Sequence, residues 1–172
     1  MEKNKPAIEI IPHLYLSSFP DEIDEKYTHV LNMCITPHED SSRESPRPEI
    51  LHIQLLDWDD ITPYIPLILQ FIDTALQHPQ NKVLVHCALG INRSAAAVTA
   101  YLCHQNKSNS TAALEYLRSR KPDVQPSAMF FLQIDRYFGY DDTFGIDPMV
   151  AFHERLRKRK ERMVVDRNGD KM

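Results

Sequence analysis

Apolar residues in this chain fall in two rhythms. Short alternating runs dominate up to residue 56, and helical spacing dominates afterwards, broken by one more short run at 83–85. Residues 7–16, AIEIIPHLYL, alternate around Pro12. They predict two short strands with a bend at a sheet edge, where proline is tolerated. Asp21 to Lys26 is polar and predicts a short helix or turn. A strand follows over Thr28–Cys34, with Cys34 packing near its end. Residues 36–49, TPHEDSSRESPRPE, are rich in Pro, Ser and charge and predict an exposed loop; its Ser45-Pro46 pair is a candidate phosphorylation site. Ile50–Leu56 is the next strand. Pro63 to Gln77 reads as an amphipathic helix with Ile65, Leu69, Ile72 and Leu76 on one face.

Val83-Leu84-Val85 is β-branched and apolar, as a short buried strand should be, and Ser94–Leu102 is alanine-rich, as a buried helix should be. Ser110 is placed as the cap of a helix over residues 112–118, ending at Arg120-Lys121-Pro122. Another helix begins at Pro126, with Tyr137 and Phe138 on its apolar side and its aromatic stripe in the core. Cys103 is structural. Gly139 to Asp147 breaks this helix. A last one is expected over Pro148–Met163, with a Met149, Phe152, Leu156 stripe among six basic residues.

These elements order as an α/β domain with a central, mostly parallel sheet and helices on both faces. With 172 residues, 42% apolar and 26% charged, one domain over residues 1–147 accounts for the core. Residues 148–172 are then a basic C-terminal helix or tail, partly disordered. Charge supports that division. Residues 1–147 hold 12 Lys+Arg and 20 Asp+Glu, a net −8; residues 148–172 hold 8 and 4, a net +4. The tail is suited to a solvated helix, a nuclear-localisation patch, or a contact with an acidic partner or membrane. No run approaches a membrane span, and Met1–Pro6 does not read as a signal peptide. Cysteines 34, 87 and 103 are odd in number and show no pairing or zinc-type spacing, which favours free thiols in a reducing, cytoplasmic or nuclear, setting.

The chemistry concentrates between the 83–85 strand and the alanine helix, in His86-Cys87-Ala88-Leu89-Gly90-Ile91-Asn92-Arg93-Ser94. A loop closing onto a helix N-terminus aims several backbone N–H groups at one point, and such a concavity binds phosphate. The same field stabilises a thiolate at Cys87. Arg93 offers a planar fork for two phosphate oxygens. Gly90 supplies a positive φ where the turn is tight. Ser94 is placed to donate to the sulfur, and His86 to orient the loop. A lone cysteine or glycine is usually structural. Strand, His-Cys, five residues, Arg-Ser and helix together make a phosphate cradle with a nucleophile at its floor.

This loop resembles the signature of the cysteine-dependent protein tyrosine phosphatases, and its Gly90-Ile91-Asn92-Arg93-Ser94 ending is most similar to their dual-specificity branch. Ile11-Pro12-His13-Leu14-Tyr15-Leu16-Ser17, Thr28–Asn32 and the Pro126-Ser127 to Gln133 pattern resemble the same branch, so the likeness spans roughly residues 7–138. It implies that Cys87 forms a phosphocysteine, that Arg93 and the backbone of Ala88, Leu89, Gly90, Ile91, Asn92 and Arg93 bind the phosphoryl group, and that Ser94 assists the thiolate's departure. It also implies an aspartate about thirty residues before the cysteine as proton donor. Asp57 lies thirty before Cys87; Asp60 is the runner-up, and Asp59 lies between them. The bland reading of this cluster is a turn with capping carboxylates, and that holds for at least two of the three. No metal or cofactor is required, because arginine and backbone dipoles supply the electrostatics.

The resemblance implies a phosphorylated protein substrate carrying phosphotyrosine or phosphoserine/phosphothreonine, and no nucleic-acid partner. A phosphoinositide or RNA 5′-phosphate is the alternative with the same mechanism, although the uncharged Ala88, Leu89, Ile91 and Asn92 weigh against a polyanionic substrate. A phosphoprotein-binding pseudophosphatase is the third reading, countered by the presence of Cys87 and Arg93.

Overall fold

Pro12 and His13 turn the first two apolar runs into a hairpin. His13 takes the left-handed conformation, with φ +69°, and its N–H donates to the Glu9 carboxylate at 2.8 Å. The computed structural model in which this is seen describes residues 6–38 and 47–140, together with Arg157. The Ser45-Pro46 pair and, Arg157 apart, the helix expected over residues 148–163 and the rest of the basic tail lie outside the described residues.

The hairpin strands are β1 (Ile8–Ile11) and β2 (Leu14–Ser17), followed by β3 (His29–Asn32) and β4 (Glu49–His52). A 3-10 turn over Thr62–Tyr64 leads into α1 (Ile65–Leu76); then come β5 (Val83–His86), α2 (Arg93–Asn106), α3 (Ser110–Arg120) and α4 (Ala128–Phe138). The five strands lie in the order β1-β2-β5-β3-β4. Only β1 is antiparallel; β2, β5, β3 and β4 run parallel. The mostly parallel sheet with packed helices is as expected, whereas the helices expected on both faces lie, among the described residues, on one. β5 is central and buried at all four positions, which is why Val83-Leu84-Val85 is an apolar run rather than an alternation.

Residues alternate between the sheet's faces. Leu14, Leu16, Leu31, Val83 and Val85 face the main core with α1 to α4. Tyr15, Val30 and Leu84 face the other way, onto Ala7, Ile23 and Tyr27. Among the described residues that second face is covered by the turns after Pro20, where a helix or turn was expected, and the helices pack on the first face. Helix α2 is buried from Ser94 through Cys103. Its alanines carry no long side chain, so it lies close against β5 and β2 with α1, α3 and α4 around it. Among the described residues no helix is long and apolar enough to cross a membrane.

Several element boundaries differ from the sequence reading, among them β3, which spans His29–Asn32 rather than Thr28–Cys34. The fourth strand stops at His52 rather than running to Leu56: the Ile53 N–H still donates to the Asn32 carbonyl of β3 at 2.9 Å, and beyond it the Leu55 carbonyl accepts from Arg93. The helix expected from Pro63 starts as the 3-10 turn, since Pro66 has no N–H with which to make the first α-type bond back to Thr62. The cap of α3 is Asn109, whose side chain accepts the Ala112 N–H; the Ser110 N–H is taken by buried Asp135 of α4 at 2.7 Å. Ser127 caps α4, and Tyr137 stands on the exposed side of that helix, edge-on to Phe138.

The parallel register aligns the strand ends. Ser17 pairs with His86, His86 with Asn32, and Asn32 with His52. The chain leaves β5 at the middle of this row, so the loop after it opens at the carboxyl edge of the sheet, where ligands of such folds bind.

Candidate active site

Cys87 follows β5 directly and is 1% exposed. Its sulfur accepts from the Gly90 N–H at 3.3 Å and from the Ser94 hydroxyl at 3.1 Å. Burial pushes the thiol's pKa up. The Ser94 hydroxyl and N–H, the Gly90 N–H and the Arg93 charge outweigh it, and the net direction is down. The other two cysteines go the opposite way. Burial raises Cys34 to about 11, aided by the nearby Cys87, and raises Cys103 to about 12, aided by Asp135. All three are free.

Gly90 is where the loop turns. It has φ +69°, and a Cβ placed on it would overlap the Ser17 carbonyl carbon and oxygen. Glycine is thus required twice, for conformation and for close approach. The Phe19 N–H donates to the Ala88 carbonyl at 3.3 Å, and the Gln125 N–H to the Ile91 carbonyl at 2.7 Å. The loop is therefore seated between the end of β2 and the segment before α4. Ala88 and Leu89 face solvent, with Leu89 69% exposed.

Arg93 begins α2. One terminal nitrogen donates to the Leu55 carbonyl at 3.1 Å and lies 3.5 Å from the Met33 carbonyl. The guanidinium is thus rested on the chain leaving β3 and β4. Its Nε lies 3.1 Å from Asp57 Oδ1, an ion pair in which the N–H is not aimed at the oxygen.

The three aspartates separate by their partners. Asp57 Oδ1 meets Arg93 and accepts from the Asn92 side-chain amide at 2.8 Å. Asp59 instead accepts the Leu56 N–H at 2.7 Å, and Asp60 the Thr62 N–H at 2.9 Å. The latter two hold their own turn. Gln133 of α4 braces that turn, donating to the Asp59 carbonyl at 3.3 Å and accepting the Ile61 N–H at 3.1 Å. Between them Trp58 is 74% exposed.

His86 is fully buried. Its Nε2 lies 2.7 Å from His38 Nε2, and Phe19 stacks on His38 and meets His86 edge-on. Burial, then His38 and His52, lower its pKa to about 3, so the ring is neutral. Sequence reasoning placed His38 in an exposed loop. It is half-buried because Phe19 and His86 give its ring a face and a partner. The carbonyls of Met33 and Leu55 and the side-chain bridge of Asn92 were also missed, since backbone acceptors and partners dozens of residues apart leave no local pattern.

A family model described as dual specificity phosphatase, catalytic domain, matches residues 14–139. The chain is similar to a protein phosphatase Slingshot homolog of Xenopus laevis, 33% identical over 151 residues that are 80% of this chain and 20% of the relative. It is similar also to the dual specificity protein phosphatase Mpk3 of Drosophila melanogaster, 34% identical over 139 residues, 76% of this chain and 34% of the relative. It thus spans about a third or less of those curated relatives. Its fold matches the crystal structure of human tyrosine phosphatase-like serine/threonine/tyrosine-interacting protein with TM-score 0.67 and 27% identity, covering 77% of this chain and 95% of that one.

Proposed function

The chain belongs to the dual specificity phosphatase family, and on that footing we propose that it hydrolyses phosphotyrosine and phosphoserine or phosphothreonine in proteins through a phosphocysteine intermediate. The observation that carries this reading is the buried Cys87 sulfur with two donors on it at the floor of the 87–93 loop. The sulfur attacks phosphorus, forming the S–P bond as the P–O bond to the substrate breaks. Backbone N–H groups of residues 88–93 and the Arg93 fork hold the phosphoryl oxygens, a stabilisation that grows as charge develops. Asp57 gives its proton to the leaving oxygen. The resulting carboxylate then takes a proton from water, which attacks phosphorus and releases the Cys87 thiolate onto the Ser94 hydroxyl. Asp59 and Asp60 are already committed to backbone N–H groups, which supports Asp57 in this role.

Phosphopeptides bearing each phosphorylated residue, an inositol phospholipid and an RNA 5′-phosphate, assayed side by side with wild type and Cys87→Ser, test the reading. Phosphopeptide hydrolysis by wild type, with turnover lost and inorganic phosphate still bound by Cys87→Ser, is the expected result. Turnover surviving in Cys87→Ser overturns the mechanism. Lipid or RNA hydrolysis far ahead of every phosphopeptide overturns the substrate class.

A further inference from the structure

The Asn92 side chain has no duty inside the phosphate cradle, to which it contributes only backbone. Its amide instead points outward and joins two distant elements. The Nδ2 group donates to Asp57 Oδ1 at 2.8 Å, and Oδ1 of Asn92 accepts the Ser127 N–H at 2.8 Å. Both ends of the amide are used, so its orientation is fixed by its partners. Ser127 is the cap of α4, a helix that also holds the acid's turn through Gln133. Asn92 is thereby a strut between a rigid helix start and one oxygen of one carboxylate.

We propose that Asn92 is a positioning residue for the proton donor, fixing which oxygen of Asp57 carries the proton. Asp57 Oδ1 accepts the Asn92 amide at 2.8 Å and has the Arg93 guanidinium charge beside it, with Nε at 3.1 Å. An oxygen that accepts an N–H and lies against a cation is held as an acceptor. The proton of the acid form is then carried by Oδ2, which no described residue engages. Oδ2 is the atom that passes its proton to the leaving oxygen and later receives one from water, while Oδ1 stays bound to Asn92 through both steps. Holding a reacting group in one orientation lowers the barrier without new chemistry. The inference rests on the assignment of Asp57 as the acid.

The test compares kcat/KM, which reads phosphocysteine formation, for phenyl phosphate and p-nitrophenyl phosphate. The first leaving group needs a proton far more than the second. Asn92→Ala is expected to lose about tenfold or more with phenyl phosphate and less than about threefold with p-nitrophenyl phosphate. Added to Asp57→Ala it should cause no further loss, as expected for residues acting as one unit. Asn92→Asp keeps an acceptor for the Ser127 N–H but loses the donor, and should show the same steepened dependence. Equal slowing of both substrates by Asn92→Ala overturns the proposal, and so does a wild-type dependence in Asn92→Asp, which would leave only an anchoring role for α4. If Asp57→Ala itself keeps the wild-type dependence, the acid assignment falls instead.

Discussion

The Ser94 hydroxyl donates to the Cys87 sulfur at 3.1 Å from the first turn of the helix that follows the cradle. It is the largest of the effects that lower this thiol's pKa against its burial. Ser94→Ala should therefore move the pH profile of Cys87 alkylation by iodoacetamide to higher pH and slow the reaction at neutral pH. A hydrogen bond to a charged group contributes about 1.5–3 kcal/mol, so breakdown of the phosphocysteine should slow roughly ten- to a hundredfold. An unchanged alkylation profile would remove Ser94 from the account. Cys34 and Cys103, with thiols pushed up by burial, should stay unlabelled under the same conditions.

The aspartates of the 57–60 turn separate by two different measurements. Asp57→Ala should lower kcat about a hundredfold or more, the range of a lost general acid, with little change in melting temperature, since its carboxylate is exposed. Asp60→Ala should do the reverse. It loses the acceptor for the Thr62 N–H, costing about 1 kcal/mol of stability, with kcat within about twofold of wild type. The opposite pattern would make Asp60 the acid.

Gly90→Ala is expected to be the most damaging small substitution in the loop. It imposes a strained positive φ and a clash with the Ser17 backbone at once. A cost of about 2 kcal/mol or more follows from those two mechanisms, read as a lower denaturant midpoint together with loss of inorganic phosphate binding. The same change at Gly139, also at positive φ but with open space around it, should cost less. Equal effects at the two sites would show that backbone conformation alone matters.

His86 sets a pH dependence of stability. Its ring is neutral in the fold, with a pKa of about 3 caused first by burial and then by His38 and His52. Below the ordinary imidazole pKa of about 6.5 the unfolded chain binds a proton that the folded chain refuses. Stability should thus fall as pH drops from about 6.5 toward 3, with a slope approaching 1.4 kcal/mol per pH unit from this group. Denaturant unfolding of wild type and His86→Asn between pH 7 and 5 checks it. His86→Asn should show the shallower slope, and equal slopes would mean that His86 is already charged or that water reaches it.

The cradle was legible because all its parts lie within Cys87–Ser94 and its geometry is local: a strand end, a glycine turn, a helix start. The sheet was legible for a related reason, since buried parallel strands such as Val83–His86 announce themselves as apolar runs. What escaped the sequence depends on partners brought together by folding. Asn109 and Ser110 are both competent caps, and the choice between them is made by Asp135, 25 residues on. The end of β4 was overrun because Leu55 is apolar and buried like a strand residue while its carbonyl serves Arg93. Asp57 was reached through spacing and resemblance, but its distinction from Asp59 and Asp60 lies in Asn92, 35 residues away.

Arg93 rests on carbonyls of the chain segments leaving β3 and β4, and Gly90 lies against the end of β2. An anion seated on that arginine and loop is consequently wired into the carboxyl edge of most of the sheet. On the proposed reading the native state binds it and the unfolded chain, with these groups scattered, does not. Occupancy then becomes a thermodynamic weight on the whole fold, about 2.7 kcal/mol at a hundred times the dissociation constant. A melting curve in phosphate or vanadate thus reports the integrity of the cradle before any substrate is known.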